Sequence, residues 1–336
     1  MTSRVSIIGD GAMAITCAGL LVENGHDVCL WSPFPESADS LARTRVNERS
    51  IPGQTLAESV VVTTDQEKAV VGADLIVTTT VTQHMRSVWE GLAPYVPDEM
   101  AVCSVAKGIE NNTLLRPTQI VRDVLDGSCE SGRPVVMLSG PSVAPEVARK
   151  LPATVTAASP HGELARRVQS VFARPYFRVY TNSDLLGTEL AAATKNVIAV
   201  AAGILDGLEM GANAKAALVT RGLSEITRLG LVLGAKAETF AGLAGVGDLV
   251  TTCISPLGRN RSFGEAIGKG LSAKQAAAET HGVAEGPATT ASVVQLAARH
   301  DVEMPITWAV NDVLFSGKHP TEAVAELMTR PLKAEA

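Results

Sequence analysis

The segment that most constrains the fold of this chain is residues 5–31, which read VSIIGDGAMAITCAGLLVENGHDVCLW. A β-branched apolar run is followed by a glycine-rich turn, an apolar helical pattern and a second apolar run. This order is typical of the first unit of a doubly wound sheet, in which a dinucleotide pyrophosphate lies against the helix N-terminus. A plain structural turn is the alternative, since glycine and alanine are abundant in this chain. The position of the turn at the first strand-to-helix junction favours the nucleotide site.

The small residues of this turn have expected tasks. Gly9 permits the tight turn, Gly11 lets the backbone approach a pyrophosphate, and the helix that begins near Ala12 presents its free N–H groups. Ala14 occupies the third glycine position, where the residue only has to permit close packing of the helix on the strand. The sequence therefore predicts a dinucleotide site in spite of the missing third glycine.

The residues after the second strand do not indicate whether the cofactor is NAD or NADP. An NAD site usually has an acidic residue about 20 residues beyond the turn, where it accepts a hydrogen bond from the ribose 2′-hydroxyl. This chain has Trp31, Ser32, Pro33 and Phe34 there, with no arginine that would receive a 2′-phosphate. We therefore expect NAD or NADP, with the preference left open.

The length and the order of the patterns predict two domains. A chain of 336 residues exceeds the usual size of a single core. Strand patterns alternate with helical ones in the first half, which indicates a parallel sheet covered on both faces. The expected strands are VSIIG, DVCLW, VVVTT, LIVTTTV, AVCSVA, VVMLSG, ATVTAA and FRVYTN. We predict an α/β doubly wound Rossmann-type domain that binds the dinucleotide at 1–184.

The second half changes in character, because strand patterns nearly vanish after residue 184. We predict an all-α C-terminal domain at 185–336 that carries substrate binding and catalysis. The expected helices lie at 185–205, 214–233, 235–244, 264–269, 273–279, 287–299, 307–315 and 321–328.

The composition excludes several classes of function. The net charge of −6 gives no general attraction to nucleic acid, and an aromatic content of 4% argues against a stacking platform for single strands. The five cysteines, none in CxxC spacing, and the lack of a leader pattern indicate reduced thiols in a cytoplasmic protein without a metal site. The longest apolar helix pattern is interrupted by Glu189, Lys195 and Asn196, so we expect no membrane span.

Five motifs follow one another along the rest of the chain. They are SVAKGIE, SGPSVAPEVA, AAATKNVIAVAAGILDGLEMGANAKAALVTRGLSEI, GLAGVGDLVTTCISPLGRNRSFG and VAEGPATT. Their order and spacing resemble the NAD(P)-dependent glycerol-3-phosphate dehydrogenases of bacterial type over nearly the whole chain. The resemblance implies an oxidoreductase that interconverts sn-glycerol 3-phosphate and dihydroxyacetone phosphate and supplies glycerophospholipid precursors. It implies a small phosphorylated substrate, and by analogy a homodimer.

Lys195 is the expected proton-transfer residue. It lies inside a strongly apolar helix pattern, where an ammonium is costly and its pKa is readily lowered. Such a lysine can exchange a proton with a secondary alcohol, whereas the alternative is a lysine whose head reaches solvent at a domain edge. The resemblance implies that Lys195 is the general base in alcohol oxidation and the acid in the reverse reaction.

Three further residues are expected around Lys195. The carboxylate of Asp248 would pair with Lys195, although a helix N-cap is the alternative. Thr252 lies one helical turn later and would point the same way. Lys107 follows a strand, where the ligands of doubly wound folds bind, although a lysine there is more often solvated. The resemblance implies that Asp248 and Lys107 are catalytic and that all three residues contact the substrate.

The substrate phosphate is expected near a basic loop. Arg259 offers a planar bidentate donor and Asn260 an amide close to a helix start, which suits a phosphate, although a solvated loop is the alternative. The resemblance implies that both bind the phosphate and that Gly140, Ser142 and Gly258 also contact the substrate. Ser142 stands where relatives usually have Thr or Asn, and Gly258 where many have Ser.

The resemblance also implies a set of cofactor-binding residues: Gly9, Gly11, Ala12, Met13, Lys107, Ala144, Arg259, Val283 and Glu285. The chain departs from the family pattern at Met13-Ala14, at Val81-Thr82 and at Pro33-Phe34, all around the cofactor. These departures favour retained chemistry with a shifted cofactor affinity or preference. A related β-hydroxyacid-type dehydrogenase and a non-catalytic nucleotide sensor are the rival interpretations.

Overall fold

The computed structural model describes residues 2–280, 282–332 and 334, and its first half contains a single eight-stranded sheet. The strands are β1 Arg4–Ile8, β2 Asp27–Trp31, β3 Val61–Thr63, β4 Leu75–Thr78, β5 Val102–Ser104, β6 Val135–Ser139, β7 Ala153–Ala158 and β8 Phe177–Asn182. The helices between them are α1 Ala12–Glu23, α2 Pro35–Thr44, α3 Gln66–Val70, α4 Thr82–Leu92, α5 Pro117–Asp126, α6 Ala144–Ala148 and α7 Gly162–Phe172. Short apolar runs rich in Val and Ile form the strands, since these side chains pack well on a sheet buried on both faces.

The strand order 3-2-1-4-5-6-7-8 places β1 beside both β2 and β4. Because consecutive strands depart from β1 in opposite directions, a crevice opens at its carboxyl end, where doubly wound folds bind their ligands. The predicted fold class is confirmed, with one exception to the parallel sheet. β7 runs antiparallel to β6 and β8 lies parallel to β7, so the last two strands run opposite to the first six.

The described residues after β8 form helices and turns without a strand. They are α8 Leu185–Gly207, α9 Gly211–Val232, α10 Ala237–Phe240, α11 Asp248–Ile254, α12 Arg259–Gly268, α13 Ala273–Glu279, α14 Gly286–Arg299, α15 Pro305–Phe315 and α16 Pro320–Met328. A π-helical turn at Leu243–Gly247 precedes α11. The expected helix at 235–244 is therefore wrong in its extent, and α12 begins earlier than the expected residue 264. The glycines of this region obscured the helical pattern.

Helix α8 is the centre of the helical half, and nearly all of its residues are buried. By length and composition alone α8 would be able to cross a membrane, but 89% of its apolar window is buried inside the protein. A core helix meets the same criteria. The apolar character of α8 is therefore explained by the helices around it.

Helices α8 and α12 touch through their backbones. A Cβ atom on Gly203 of α8 would lie 1.9 Å from the carbonyl oxygen of Arg261, and one on Gly264 of α12 would lie 2.0 Å from that of Val200. No other residue fits at such a distance, so glycine at both positions lets the helix axes approach closely. This contact determines where the first residues of α12 lie relative to α8.

Two buried carboxylates fix α8 to the rest of the protein. Asp184 caps α8 by accepting from the Gly187 N–H at 2.9 Å, and it also accepts from the Thr239 hydroxyl at 2.7 Å. Glu189 accepts from the backbone N–H and the hydroxyl of Thr118, both at 2.9 Å, at the start of α5. Arg116 pairs with the same carboxylate, so its charge is compensated. These contacts fix α8 to the start of α5 and to α10.

Candidate active site

The candidate site lies at the carboxyl edge of the sheet, under α8 and α11. Lys107 follows β5, and its ammonium donates to the Asp248 carboxylate, with Nζ 2.6 Å from Oδ2. It also donates to the carbonyl oxygen of Gly140, which follows β6, at 3.3 Å. The Ser142 hydroxyl donates to the same carbonyl oxygen at 3.1 Å. The loops after two neighbouring strands and the start of α11 therefore converge on Lys107.

Lys195 extends from α8 into this cluster. Only 4% of the residue is exposed, so the alternative in which its head reaches solvent is wrong. Its Nζ lies 2.6 Å from Thr252 Oγ1, to which it donates, and 3.4 Å from Asp248 Oδ1. Burial, aided by the positive charge of Lys107, lowers the pKa of Lys195 to about 8, although Asp248 opposes the shift. An amine with this pKa can both give and take a proton near neutral pH.

The Asp248 carboxylate lies between the two ammonium groups and is itself buried, with 3% of the residue exposed. It is the first residue of α11, and its side chain does not cap that helix, whose N-cap is Gly247. Its shorter contact is with Lys107, whereas the sequence predicted Lys195 as its partner. Thr252 donates to the backbone carbonyl of Asp248 at 2.6 Å, which aims its hydroxyl oxygen at Lys195. One carboxylate thus orients both lysines.

The two residues expected at the phosphate begin α12. Asn260 is buried and its Oδ1 accepts from the backbone N–H of Gly286 at 2.9 Å, at the start of α14. Arg259 is exposed and forms no ion pair with any other residue that the structure describes. Gly258 is the N-cap, and a Cβ atom there would lie 3.1 Å from the Thr252 carbonyl oxygen. The N-terminus of α12 therefore lies beside Thr252, which contacts Lys195. The side chain of Arg259 is exposed there.

The turn expected to hold the pyrophosphate has the required geometry. Gly9 has a φ of +120°, and a Cβ atom there would lie 2.4 Å from Thr79 Oγ1, so only glycine fits. A Cβ atom on Gly11 would meet nothing within 4 Å, so the backbone at the start of α1 is open to a ligand. No side chain caps α1, which begins at Ala12, so its first N–H groups can bind a phosphate. Met13 lines a narrow crevice together with Lys107.

The remaining cofactor candidates are Ala144, Glu285 and Val283, and they have different surroundings. The Ala144 carbonyl oxygen lies 3.4 Å from the Thr16 hydroxyl of α1. Glu285 accepts from the Thr82 N–H at 3.0 Å, at the start of α4, and burial raises the pKa of its carboxyl. Val283 is exposed on the segment before α14. The structure therefore places Glu285 at the start of α4, just after β4, and Val283 on the protein surface.

Comparisons with known proteins identify the family. The N-terminal region of the NAD-dependent glycerol-3-phosphate dehydrogenases matches residues 4–165, and the C-terminal region matches residues 184–325. A relative from Geobacter sp. (strain M21) named glycerol-3-phosphate dehydrogenase [NAD(P)+] is 46% identical over 100% of this chain and 99% of its own. The chain belongs to the NAD(P)-dependent glycerol-3-phosphate dehydrogenase family. A Geobacter sulfurreducens relative of the same name is 47% identical over the same shares of both chains.

A solved structure of this dehydrogenase family agrees with the fold. The crystal structure of glycerol-3-phosphate dehydrogenase from Coxiella burnetii superposes with a TM-score of 0.93 at 35% identity, covering 98% of this chain and 99% of the other.

The described residues of the present dehydrogenase contain no group of three or more His, Cys, Asp or Glu side chains arranged for a metal ion. All five cysteines are unpaired.

Asn196 is a residue of this dehydrogenase that the sequence analysis did not select. It is buried beside Lys195 on α8, and its Nδ2 donates to the backbone carbonyl of Lys107 at 2.9 Å. Its Oδ1 lies 3.4 Å from Lys195 Nζ, so one amide contacts both lysines. The signal in the sequence that could have identified Asn196 is a polar residue next to a lysine in an apolar helix pattern.

Proposed function

We propose that the protein interconverts sn-glycerol 3-phosphate and dihydroxyacetone phosphate, with NAD or NADP as the cofactor. The observation that carries this proposal is the contact of Lys195 with Thr252 and Asp248 at the carboxyl edge of the sheet. A buried lysine whose pKa is about 8 is suited to proton transfer at a secondary alcohol. Family membership supplies the substrate, as the names of the relatives state it.

Each residue of the site has a separate role in this reaction. When bound, the nicotinamide supplies or accepts the hydride. Lys195 gives a proton to the carbonyl oxygen in ketone reduction and takes it back in alcohol oxidation. Asp248 stabilises the charged form of Lys195 and holds it in place, while Lys107 contributes positive charge beside the substrate oxygen. Thr252 directs the ammonium by accepting its hydrogen bond.

The phosphate end of the substrate is assigned to α12. The Arg259 guanidinium and the helix N-terminus both favour an anion, and Asn260 adds an amide N–H group. The part of the substrate between its phosphate and Lys107 would lie along Gly140, Ser142 and Gly258. Binding energy from a phosphate remote from the reacting carbon is used to orient that carbon.

An assay of dihydroxyacetone phosphate reduction, followed by loss of reduced nicotinamide absorbance with NADH and NADPH in parallel, tests the proposed function. We expect turnover with the phosphorylated ketone and little with small unphosphorylated ketones or 2-keto acids. Preference for an unphosphorylated substrate would instead support the related hydroxyacid dehydrogenase. Cofactor binding without reduction of any ketone would support a nucleotide sensor.

The rates should depend on pH through Lys195. Ketone reduction needs the protonated amine, so its kcat/KM should fall about tenfold per unit as the pH rises above about 8. Alcohol oxidation needs the neutral amine, so its kcat/KM should rise up to the same pH. In an Asp248→Asn variant the charge that raises the pKa of Lys195 is lost, so both profiles should move to lower pH. Profiles that do not move would contradict the role assigned to Asp248.

Replacing Arg259 with glutamine should weaken phosphate binding selectively. A charge-assisted hydrogen bond contributes about 1.5–3 kcal/mol, so KM for dihydroxyacetone phosphate should rise about 10- to 150-fold. The slow reduction of unphosphorylated dihydroxyacetone should change little, because that ketone has no phosphate to lose. Arg299→Gln, at the end of α14, is the matched control and should leave both reactions unchanged. An equal loss of kcat/KM for both ketones would show that Arg259 does not bind the substrate phosphate.

Three further proposals concern the whole molecule. The division into a dinucleotide domain at 1–184 and a catalytic domain at 185–336 is supported by the change from sheet to helices after β8. A cytoplasmic location is supported by five unpaired cysteines. A homodimer is supported by exposed apolar residues of the helical half, among them Leu231, Val232 and Phe315. Light scattering of the purified protein measures the oligomeric state, and a monomer would refute the dimer.

A further inference from the structure

The glycine turn contains a carboxylate, that of Asp10, to which no role has been assigned so far. Asp10 stands between Gly9 and Gly11, and its Oδ2 accepts hydrogen bonds from the Ser32 hydroxyl at 2.7 Å and the Ser37 hydroxyl at 2.6 Å. We call these three residues, Asp10, Ser32 and Ser37, the turn cluster. They come from three different segments of the chain.

The turn cluster lies at the end of β2. Ser32 directly follows that strand and is fully buried, and Ser37 lies in the first turn of α2. The Gly9 N–H donates to the Trp31 carbonyl at 2.9 Å, which joins the turn to the last residue of β2. In doubly wound folds this is where the adenosine ribose lies and where an acid on β2 usually binds its 2′-hydroxyl. Here the carboxylate comes from the turn instead.

The chemistry of the turn cluster favours a hydroxyl over a phosphate. An ionised carboxylate only accepts hydrogen bonds, and Asp10 Oδ1 receives none from the residues that the structure describes. A ribose 2′-hydroxyl can donate to it. A 2′-phosphate would instead bring further negative charge next to Asp10. Among the described residues, no lysine or arginine is hydrogen-bonded to the turn cluster to offset that charge.

We propose that Asp10 is the residue that selects the cofactor, and that this enzyme prefers NAD to NADP. The Asp10 carboxylate binds the ribose 2′-hydroxyl of NAD and repels the 2′-phosphate of NADP. Ser32 and Ser37 hold the carboxylate in the orientation that both effects require. This inference rests on the proposed function for the presence of a nicotinamide cofactor, and it adds the choice between the two forms.

The test measures binding of NADH and NADPH to the full-length protein by nicotinamide fluorescence, without any ketone present. We expect NADH to bind more tightly than NADPH by at least about tenfold, the factor expected for a hydrogen bond to a charged group. Asp10→Asn keeps an acceptor for both serine hydroxyls but removes the charge, so the ratio of affinities should fall about tenfold. Asp39→Asn makes the same change on the exposed face of α2, and the ratio should stay as it is.

Several results would overturn this proposal. NADPH binding as tightly as NADH to the unaltered protein would do so, and so would an unchanged ratio in Asp10→Asn. Equal losses for both cofactors would show that Asp10 only shapes the turn. Because the ratio is measured on one sample, partly unfolded protein does not distort it. If the ratio behaves as expected but dihydroxyacetone phosphate is not reduced, the proposed function fails while the cofactor preference stands. If the ketone is reduced but NADH and NADPH bind equally tightly, the proposed function stands while the cofactor preference fails.

Discussion

Replacing Lys195 with methionine should reduce the rate of dihydroxyacetone phosphate reduction by about 10²- to 10⁴-fold, the range expected for loss of a general acid. Methionine has nearly the same length and no charge, so it fits the buried space between α8 and α11. The carbonyl oxygen then has no proton donor, and Asp248 keeps Lys107 as its partner. The measurement is kcat at saturating ketone, together with the affinity for the reduced cofactor, which should change by less than about threefold.

Lys274→Met is the matched control for this substitution. Lys274 is exposed on α13, and the same chemical change there should leave kcat and the melting temperature unaltered. Activity of Lys195→Met within a factor of ten of the unaltered enzyme would mean that another group transfers the proton. A combined loss of activity and cofactor binding would indicate a structural role instead.

The second large effect is expected at the contact between α8 and α12. Gly203→Ala would place a methyl group 1.9 Å from the Arg261 carbonyl oxygen, which belongs to the backbone and cannot rotate away. The helices would have to separate, and overpacking of this kind costs about 1–3 kcal/mol or more. We expect a loss of free energy of unfolding at the upper end of this range in urea denaturation. KM for the phosphorylated ketone should also rise, because α12 carries Arg259 and Asn260.

Gly19→Ala gives the opposite expectation and serves as the control. Gly19 lies within α1, and a Cβ atom there would meet nothing within 4 Å. Alanine favours a helix over glycine by about 0.5–1 kcal/mol, so this variant should be slightly more stable than the unaltered protein. If Gly203→Ala were also stabilising, the close contact of the two helices would not exist in solution.

Much of the fold could be predicted from sequence because local patterns determine it. All eight strands lie where short apolar runs were expected, and α8 coincides with the longest apolar helical pattern. The direction of β7 could not be predicted in the same way, since an apolar run predicts a strand but not whether that strand pairs parallel or antiparallel with its neighbour. Helix α11 was hidden because Gly245 and Gly247 next to it resemble a loop.

The sequence indicated candidate site residues but not their contacts. Lys195 was selected as a charge in an apolar helix and Asp248 as a carboxylate beside glycines, while the family resemblance implied their roles. That Asp248 approaches Lys107 more closely than Lys195 depends on how α11 packs on the sheet edge, which no local pattern reports. Asp10 was missed for a related reason, because its partners Ser32 and Ser37 lie more than 20 residues away. The assigned roles of these residues stay predictions.

The backbone contact of Gly203 and Gly264 has a consequence for which ketones the enzyme accepts. Lys195 lies on α8, and the residues proposed to bind the phosphate begin α12, so in the proposed function the separation of the two helices determines the span between the reacting carbon and the phosphate. No side chain lies between the two backbones at this contact, so trimming side chains would not lengthen the span. Homologous phosphates with one more carbon should therefore be poor substrates, and evolving an enzyme for them would require larger residues at the glycine positions.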